Sequence, residues 1–413
     1  AIKEILAREG FRKYIRSTGW MFGGKLASMA ISFIATLYIA RHLGPTNFGQ
    51  LSYALSIVGI FGFLAPLGLD SILYRELIKF PEKKNQLLGT SFLLKLAAGI
   101  ITSLCIITYA ISIGTDDVSR MAVIILSFTF ILSPFQVITY EFLSRSESKV
   151  PALITMLTTL LLNLLKVVAL MNGKGVLYIA FVLFLEPLFY ALFYVYAYAK
   201  DSNDSLTSWT YDKKLAVSLL KDSLPLVLLS SFTIVYARVD QVLIKQMIGT
   251  MEVGIYDAAV RLADLWNFIP GIILSALFPS IVKNEASATN ESWSRMKKIG
   301  VLLFIIPVGI AIVTTIFAPL IISILYGPAF SASVPILKIY IWSCIGTFLG
   351  ILTQTYMTAK NQRVLVVISS FVPMVVNISL NLLWIPTYGV IGSAYATVIS
   401  YALVPVFIIF SKR

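Results

Sequence analysis

Charge, histidine and cysteine are what this chain has least of. Only 13% of its 413 residues are charged, where soluble domains carry about a quarter. His42 is the only histidine, and the only cysteines, Cys105 and Cys344, lie inside apolar runs. A disulfide scaffold, a cysteine metal site and most zinc or histidine chemistry are thereby disfavoured. There is no G-x4-G-K-[S/T] run, which argues against a built-in ATPase.

What fills the chain instead is apolar sequence, 58% of it hydrophobic. Runs of roughly 20 mainly apolar residues recur along its length, each able to cross a bilayer core of about 30 Å. The pattern predicts an all-α integral membrane protein with twelve spans, near 18–42, 48–69, 87–113, 119–144, 150–172, 175–199, 222–248, 252–282, 296–325, 332–359, 363–384 and 387–411. Residues 1–200 form a first six-helix lobe and 222–413 a second. Between them, 201–221 reads as a linker whose second part, from Tyr211, is an amphipathic segment on the membrane surface.

Orientation follows from the basic residues. Of 33 Lys and Arg, 23 fall at the termini and in the longer connections on one side, four on the other and six within spans. The positive-inside rule then places both termini in the cytoplasm. The formal charge of +13 is accounted for by topology, so no nucleic-acid partner is needed. Segments such as Lys79–Lys84 and Arg295–Lys298 are placed to touch anionic lipid heads. Trp20, Trp209, Trp293 and Trp384 lie near span ends and read as interface anchors.

The two halves resemble each other. At an offset of 205, the stretch Leu43 to Gly49 falls on Ile248 to Gly254, each a G-x4-G turn between two spans. At an offset of 214, Asn163 falls on Asn377 and Ala180 on Ala394. Two six-span repeats of the same orientation imply a pseudo-two-fold along the membrane normal and a cleft between lobes.

Function is sought at Ser230–Pro270, where charges interrupt two apolar helices. Asp257, Arg261 and Asp264 are spaced i, i+4, i+7 and share one helix face. On the preceding span stand Arg238, Asp240 and Lys245. Intramembrane charges usually face a bundle interior or a wet cavity. Two readings fit them. Arg238 or Arg261 grips an anionic group, since the guanidinium fork matches phosphate oxygens in pairs. Alternatively Arg238–Asp264 and Asp240–Arg261, which match in depth, are pairs that fix the hairpin. Lys25, Lys95, Lys166 and Lys338 have no evident local partner, and each is either a cavity cation or a snorkelling side chain. Together these six cations outnumber Glu186, Asp240, Asp257 and Asp264 by two, which favours an anionic ligand. Asp240, Asp264 and Glu186 are the candidates for coupling to H+ or Na+. No other cofactor is expected.

Three stretches carry a family resemblance: TGWMFGGKLASMAISFIATLYIARHLGPTNFGQLSYALSI at Thr18–Ile57, VYARVDQVLIKQMIGTMEVGIYDAAVRLADLWNFIP at Val235–Pro270 and IPTYGVIGSAYATVISY at Ile385–Tyr401. They are similar to bacterial polysaccharide-unit (O-antigen, Wzx-type) flippases of the multidrug/oligosaccharidyl-lipid/polysaccharide exporter superfamily. The resemblance implies a two-lobed, non-enzymatic transporter of the bacterial inner membrane that works by alternating access. It would turn undecaprenyl-pyrophosphate-linked oligosaccharide from the cytoplasmic to the periplasmic leaflet, coupled to an ion gradient. It implies a monomer that works beside polysaccharide polymerase machinery. It also carries Arg261 over as a cavity cation and Asp240 as the hairpin carboxylate. A multidrug antiporter of the same superfamily would be expected to show an acidic cavity. A lipid II flippase would carry two further helices, and a membrane polymerase or ligase a large periplasmic loop.

Overall fold

The computed structural model describes residues 9–201, 205–274, 290–360 and 362–411, and all regular structure among them is helical. Among the described residues, ten helices are long and apolar enough to cross a membrane. One of them, α1 (Glu9–Phe61), contains two of the expected spans, merged across a break at Gly44 (φ 70°, ψ 172°). Glycine adopts that φ without a Cβ clash, and Pro45 then starts the next helix, where its missing N–H costs nothing. The eighth expected span begins as a helix at Thr250–Asp264 and runs on through residue 274. Its far end, and the side chain of Trp293, lie outside the described residues. The fold is thus the twelve-helix membrane bundle expected from sequence, and the chain is a multi-pass membrane protein. On α6 (Lys149–Met171) the exposed face is apolar, with Leu157, Leu161, Leu164 and Val168, while polar Thr158, Asn163 and Lys166 are buried beside Ile154 and Leu162. A bilayer imposes this pattern, because lipid solvates leucine and leaves polar groups to find protein partners.

The chain forms two compact units, 1–42 with 57–227, and 43–56 with 228–413. The first unit holds the start of α1, then α2 (Leu69–Lys79), α3 (Lys84–Ser112), α4 (Asp117–Ser127), α5 (Val137–Ser144), α6, α7 (Val176–Asp201) and the beginning of α8 (Lys213–Met247). Its core joins Leu73 and Leu77 of α2, Leu87 and Leu88 of α3, Val137, Ile138 and Phe142 of α5, and Tyr194 and Tyr198 of α7. Two expected spans are interrupted here. The second ends at Phe61, and residues 62–68 run irregularly past Pro66 to a left-handed Gly68 (φ 63°), where a Cβ would lie 3.1 Å from Leu226 Cβ and 3.2 Å from Ser223 O. The fourth is broken into short turns around Pro134, which removes a backbone donor from the ladder. The expected linker is also tighter than its Ser/Asn/Asp-rich start suggested. Trp209 packs against Phe92 and Tyr198 and donates to the Tyr198 hydroxyl at 3.3 Å, which ties the half-buried indole to the edge of this core. The Thr210 N–H donates to Asn85 O at 3.2 Å, and the Thr210 carbonyl lies 2.6 Å from where a Gly89 Cβ would be. The amphipathic stretch from Tyr211 does not form a separate surface helix; from Lys213 it is the first part of α8.

The second unit holds residues 43–56 of α1, the rest of α8, α9 (Thr250–Asp264), α10 (Asn290–Leu325), α11 (Ser333–Tyr340), α12 (Ser343–Ala359), α13 (Arg363–Tyr388) and α14 (Val390–Leu403). α13 continues through Pro386, so the last turn falls at Gly389 instead. Within this unit the two G-x4-G turns cross. A Cβ on Gly49 would lie 2.9 Å from Gly254 N, and one on Gly254 would lie 3.0 Å from Gly49 N. The Thr250 carbonyl oxygen sits closer still to the first position, and the Pro45 carbonyl oxygen to the second. Pro45 and Thr250, like Gly49 and Gly254, are 205 apart, so the contact is isologous: each repeat offers the same atoms to the other. Small residues permit this backbone approach, as in other membrane helix crossings. The next equivalent pair on the same faces, Ser52 and Asp257, is hydrogen-bonded at 2.6 Å.

Candidate functional site

One turn beyond this crossing the sequence puts charge into the buried interior of the second unit. Asp257, fully buried, is held three ways: it accepts from Ser52 Oγ at 2.6 Å, from Gln241 Nε2 at 2.9 Å and from Arg261 Nε at 2.5 Å. Gln241 is fixed in turn by Ser56 Oγ, which donates to its Oε1. Helical spacing makes the Asp257–Arg261 pair local, since i and i+4 stack on one face. Arg261 lies over the Phe48 ring, 5.5 Å from its centroid, and its side chain keeps 28% exposure. It bonds Asp257 through Nε, and its Nη groups have no hydrogen-bond partner among the described residues.

Asp240 is buried apart from Arg261. Its Oδ2 accepts from the Tyr256 hydroxyl at 2.5 Å and its Oδ1 from the Gln241 N–H at 2.8 Å. The Tyr256 hydroxyl also meets Thr397 Oγ1 of α14 at 3.3 Å. Arg238 is half-buried, within electrostatic reach of Asp240, Asp257 and Asp264, and makes no hydrogen bond or ion pair among the described residues. Asp264 accepts from Asn267 Nδ2 at 3.0 Å. The depth-matched pairing of Asp240 with Arg261 therefore does not form: α9 supplies its own carboxylate to Arg261, and Asp240 takes a tyrosine. Lys245 reaches out of the cluster to Thr250 Oγ1 at 2.6 Å and lies over the Tyr53 ring. On α13, Asn377 and Asn381 are fully buried, and Asn381 Nδ2 donates to the Asn377 side-chain oxygen at 3.1 Å. Asn377 Nδ2 and Asn381 Oδ1 have no partner among the described residues. Lys338, on α11, is exposed.

The remaining lysines lie in the first unit, in three different settings. Lys95 is buried and forms an ion pair with Asp70 of α2, the local partner that sequence reading did not find. Its ammonium also lies over the Tyr140 ring. Lys166 is buried, donating to Asn163 Oδ1 at 3.2 Å, and acts electrostatically on half-buried Glu186. Lys25 is exposed and lines a cavity.

A family described as polysaccharide biosynthesis protein matches residues 14–285. The chain belongs to that polysaccharide biosynthesis protein family. It is 24% identical over 94% of its length to a protein of Haloferax volcanii named as a probable low-salt glycan biosynthesis flippase, covering 81% of it. A second probable flippase of the same organism is 23% identical over 95% of this chain and 82% of its own. Solved structures share the fold. An inward-facing multidrug resistance transporter of the MATE family matches with a TM-score of 0.73 at 15% identity, over 92% of both chains. A transporter from Pyrococcus furiosus, described as having a binding pocket of reverse polarity that suggests a different function, matches with a TM-score of 0.67 at 13% identity, over 96% of this chain and 94% of that one.

In this polysaccharide biosynthesis protein the site residues that sequence reading missed are the neutral ones: Ser52, Ser56, Tyr256, Asn381 and Thr397. Ser52 carried a usable signal, because the 205-residue offset maps it onto Asp257. Chemically the cluster holds two guanidinium groups among three carboxylates, with Arg261 anchored at one edge and open at the other. A planar cation fixed in this way can take two oxygens of a phosphate without first being ordered.

Proposed function

We propose that this chain is a lipid-linked oligosaccharide flippase. Its substrate is an undecaprenyl-pyrophosphate-linked repeat unit, moved by alternating access from the cytoplasmic to the periplasmic leaflet of the bacterial inner membrane, with both termini cytoplasmic. The observation that carries the reading is Arg261, a membrane-embedded guanidinium held through Nε by a triply bonded Asp257, with its Nη groups open. In this reading Arg261 contacts the diphosphate and Arg238 adds charge beside it. Asp257 is committed to its three donors and acts as the positioning group. Asp240 is the coupling carboxylate for H+ or Na+, because a buried Tyr256–Asp240 pair is a polar contact that an ion can replace. Asp264 and Glu186 are the further coupling candidates. The membrane lipids and the polysaccharide polymerase machinery are its partners, and it acts as a monomer.

A second reading draws on the charge count of this cluster, where Asp240, Asp257 and Asp264 outnumber Arg238 and Arg261. It is that of a cation antiporter of the same superfamily. Complementation separates the two. In cells lacking the protein, Arg261→Ala abolishes surface-polysaccharide export at normal membrane abundance, and Arg261→Lys restores only part of it, since lysine lacks the fork. Full export with Arg261→Ala, or cation resistance lost with Asp264→Asn while export persists, overturns the flippase reading.

A further inference from the structure

Lysines near the end of a membrane helix ordinarily turn toward the nearer surface. Lys166 turns the other way. It stands about 7.5 Å from the Met171 end of α6. Yet it is buried, and its Nζ donates at 3.2 Å to the side-chain oxygen of Asn163, deeper in the same helix. Deeper still is Glu186, about 15 Å from the Val176 end of α7, and so near the middle of a hydrocarbon core of about 30 Å. α6 and α7 form an antiparallel hairpin closed by the turn at 172–175. The inward-turned ammonium narrows the difference in depth, and it is the charge that acts on the Glu186 carboxylate.

The internal repeat separates this pair from the scaffold. At the offset of 214, Asn163 falls on Asn377, while Lys166 falls on Leu380 and Glu186 on Ser400. Both charges are thus absent together from a hairpin of the same build, so the scaffold does not need them. In the second unit the Asn377 side-chain oxygen accepts from the neutral Asn381 amide instead. The Ser400 hydroxyl donates to its own helix at Ala396 O. A buried ion pair adds little stability over apolar side chains, whereas a carboxylate and an amide oxygen are ligands suited to a hard cation.

We propose that Lys166 is a tethered cation: its ammonium fills a monovalent-cation site, made by the Glu186 carboxylate and Asn163 Oδ1, that a free sodium or potassium ion would otherwise occupy. The site is loaded at every stage of transport, and Glu186 is closed to an external ion for as long as Lys166 holds it. Glu186 is half-buried, so a small cation can reach it once the ammonium is removed. Ion coupling is then left to the carboxylates of the second unit, a consequence that rests on the coupling part of the flippase reading. The cation site itself uses neither Arg261 nor the lipid-linked substrate.

The test is thermal unfolding of the purified full chain in detergent, in matched concentrations of sodium, potassium or N-methylglucamine chloride, the last cation being too large for the site. Lys166→Ala strands the carboxylate and, in N-methylglucamine chloride, melts roughly 10 °C below the wild type. Sodium or potassium returns about a third or more of that loss, beyond any effect on the wild type. The double variant Lys166→Ala with Glu186→Gln shows no such response. Lys166→Met, whose apolar stem keeps the site filled, shows none either. If Lys166→Ala does not accumulate, Lys166→Gln, which keeps a donor for Asn163, carries the same comparison. Equal melting of the neutral variant in all three salts, or a cation response that survives Glu186→Gln, overturns the proposal and leaves an ordinary ion pair. Export and its loss in Arg261→Ala are read in a separate assay, so failure here and failure of the flippase reading are distinguishable.

Discussion

Gly254→Ala should loosen the second unit through a single methyl group. The added Cβ would lie 3.0 Å from Gly49 N and 2.9 Å from Pro45 C, with the Pro45 oxygen nearer again. All three are backbone atoms, so no side chain can swing aside. Restoring ordinary contacts of about 3.5 Å to all three atoms requires the two backbones to separate by roughly 1.5 Å. That movement stretches the 2.6 Å Ser52–Asp257 bond beyond hydrogen-bonding range. Overpacking costs about 1–3 kcal/mol, and a weakened bond to a buried carboxylate about 1–2 more. For a unit of about 200 residues the sum of ~2–5 kcal/mol lowers the melting temperature by roughly 5–15 °C. Thermal unfolding of the purified protein in detergent, followed by gel filtration of the soluble fraction, reads this directly. Gly309→Ala on α10 is the control, because nothing lies within 4 Å of its Cβ; it is neutral or slightly stabilising. Equal melting of Gly254→Ala and Gly309→Ala would refute the crossing as drawn.

Other substitutions test neighbouring features. Asp70→Asn should destabilise more than Lys95→Met, by about 1–3 kcal/mol in thermal melts, because the lysine is the buried partner and is left with an uncompensated charge; the reverse order would place the burial on the wrong residue. Asp257→Asn should unfasten Arg261 and depress export by tenfold or more with normal expression, and unchanged export would deny Asp257 its positioning role. Asp240→Asn should leave transport insensitive to imposed proton and sodium gradients in proteoliposomes, whereas an unaltered gradient response would move coupling to Asp264 or Glu186.

Long apolar runs made the helices legible, since a span of about 20 residues announces itself by composition alone. Interruptions were harder. Pro66 and Pro134 break helices while Pro187, Pro225 and Pro307 sit within continuous ones, and the difference lies in whether neighbours hold the freed backbone, which no local pattern encodes. The 205-residue repeat was visible, but its consequence, that equivalent glycines touch each other, needed three dimensions. Charges on α8 and α9 could be found by their rarity. Their partners could not: depth matching pointed Arg261 at Asp240, yet the i+4 neighbour Asp257 was closer and better supported. Lys95 looked solitary for the opposite reason, because Asp70 is distant in sequence and adjacent in space.

Transbilayer movement of a fluorescent polyprenyl-diphosphate oligosaccharide in proteoliposomes tests the central claim most directly. Wild-type protein moves the probe between leaflets, and Arg261→Ala, reconstituted at equal density, falls at least tenfold toward the protein-free rate. Movement by Arg261→Ala at the wild-type rate, or none above protein-free vesicles with the wild type, contradicts it.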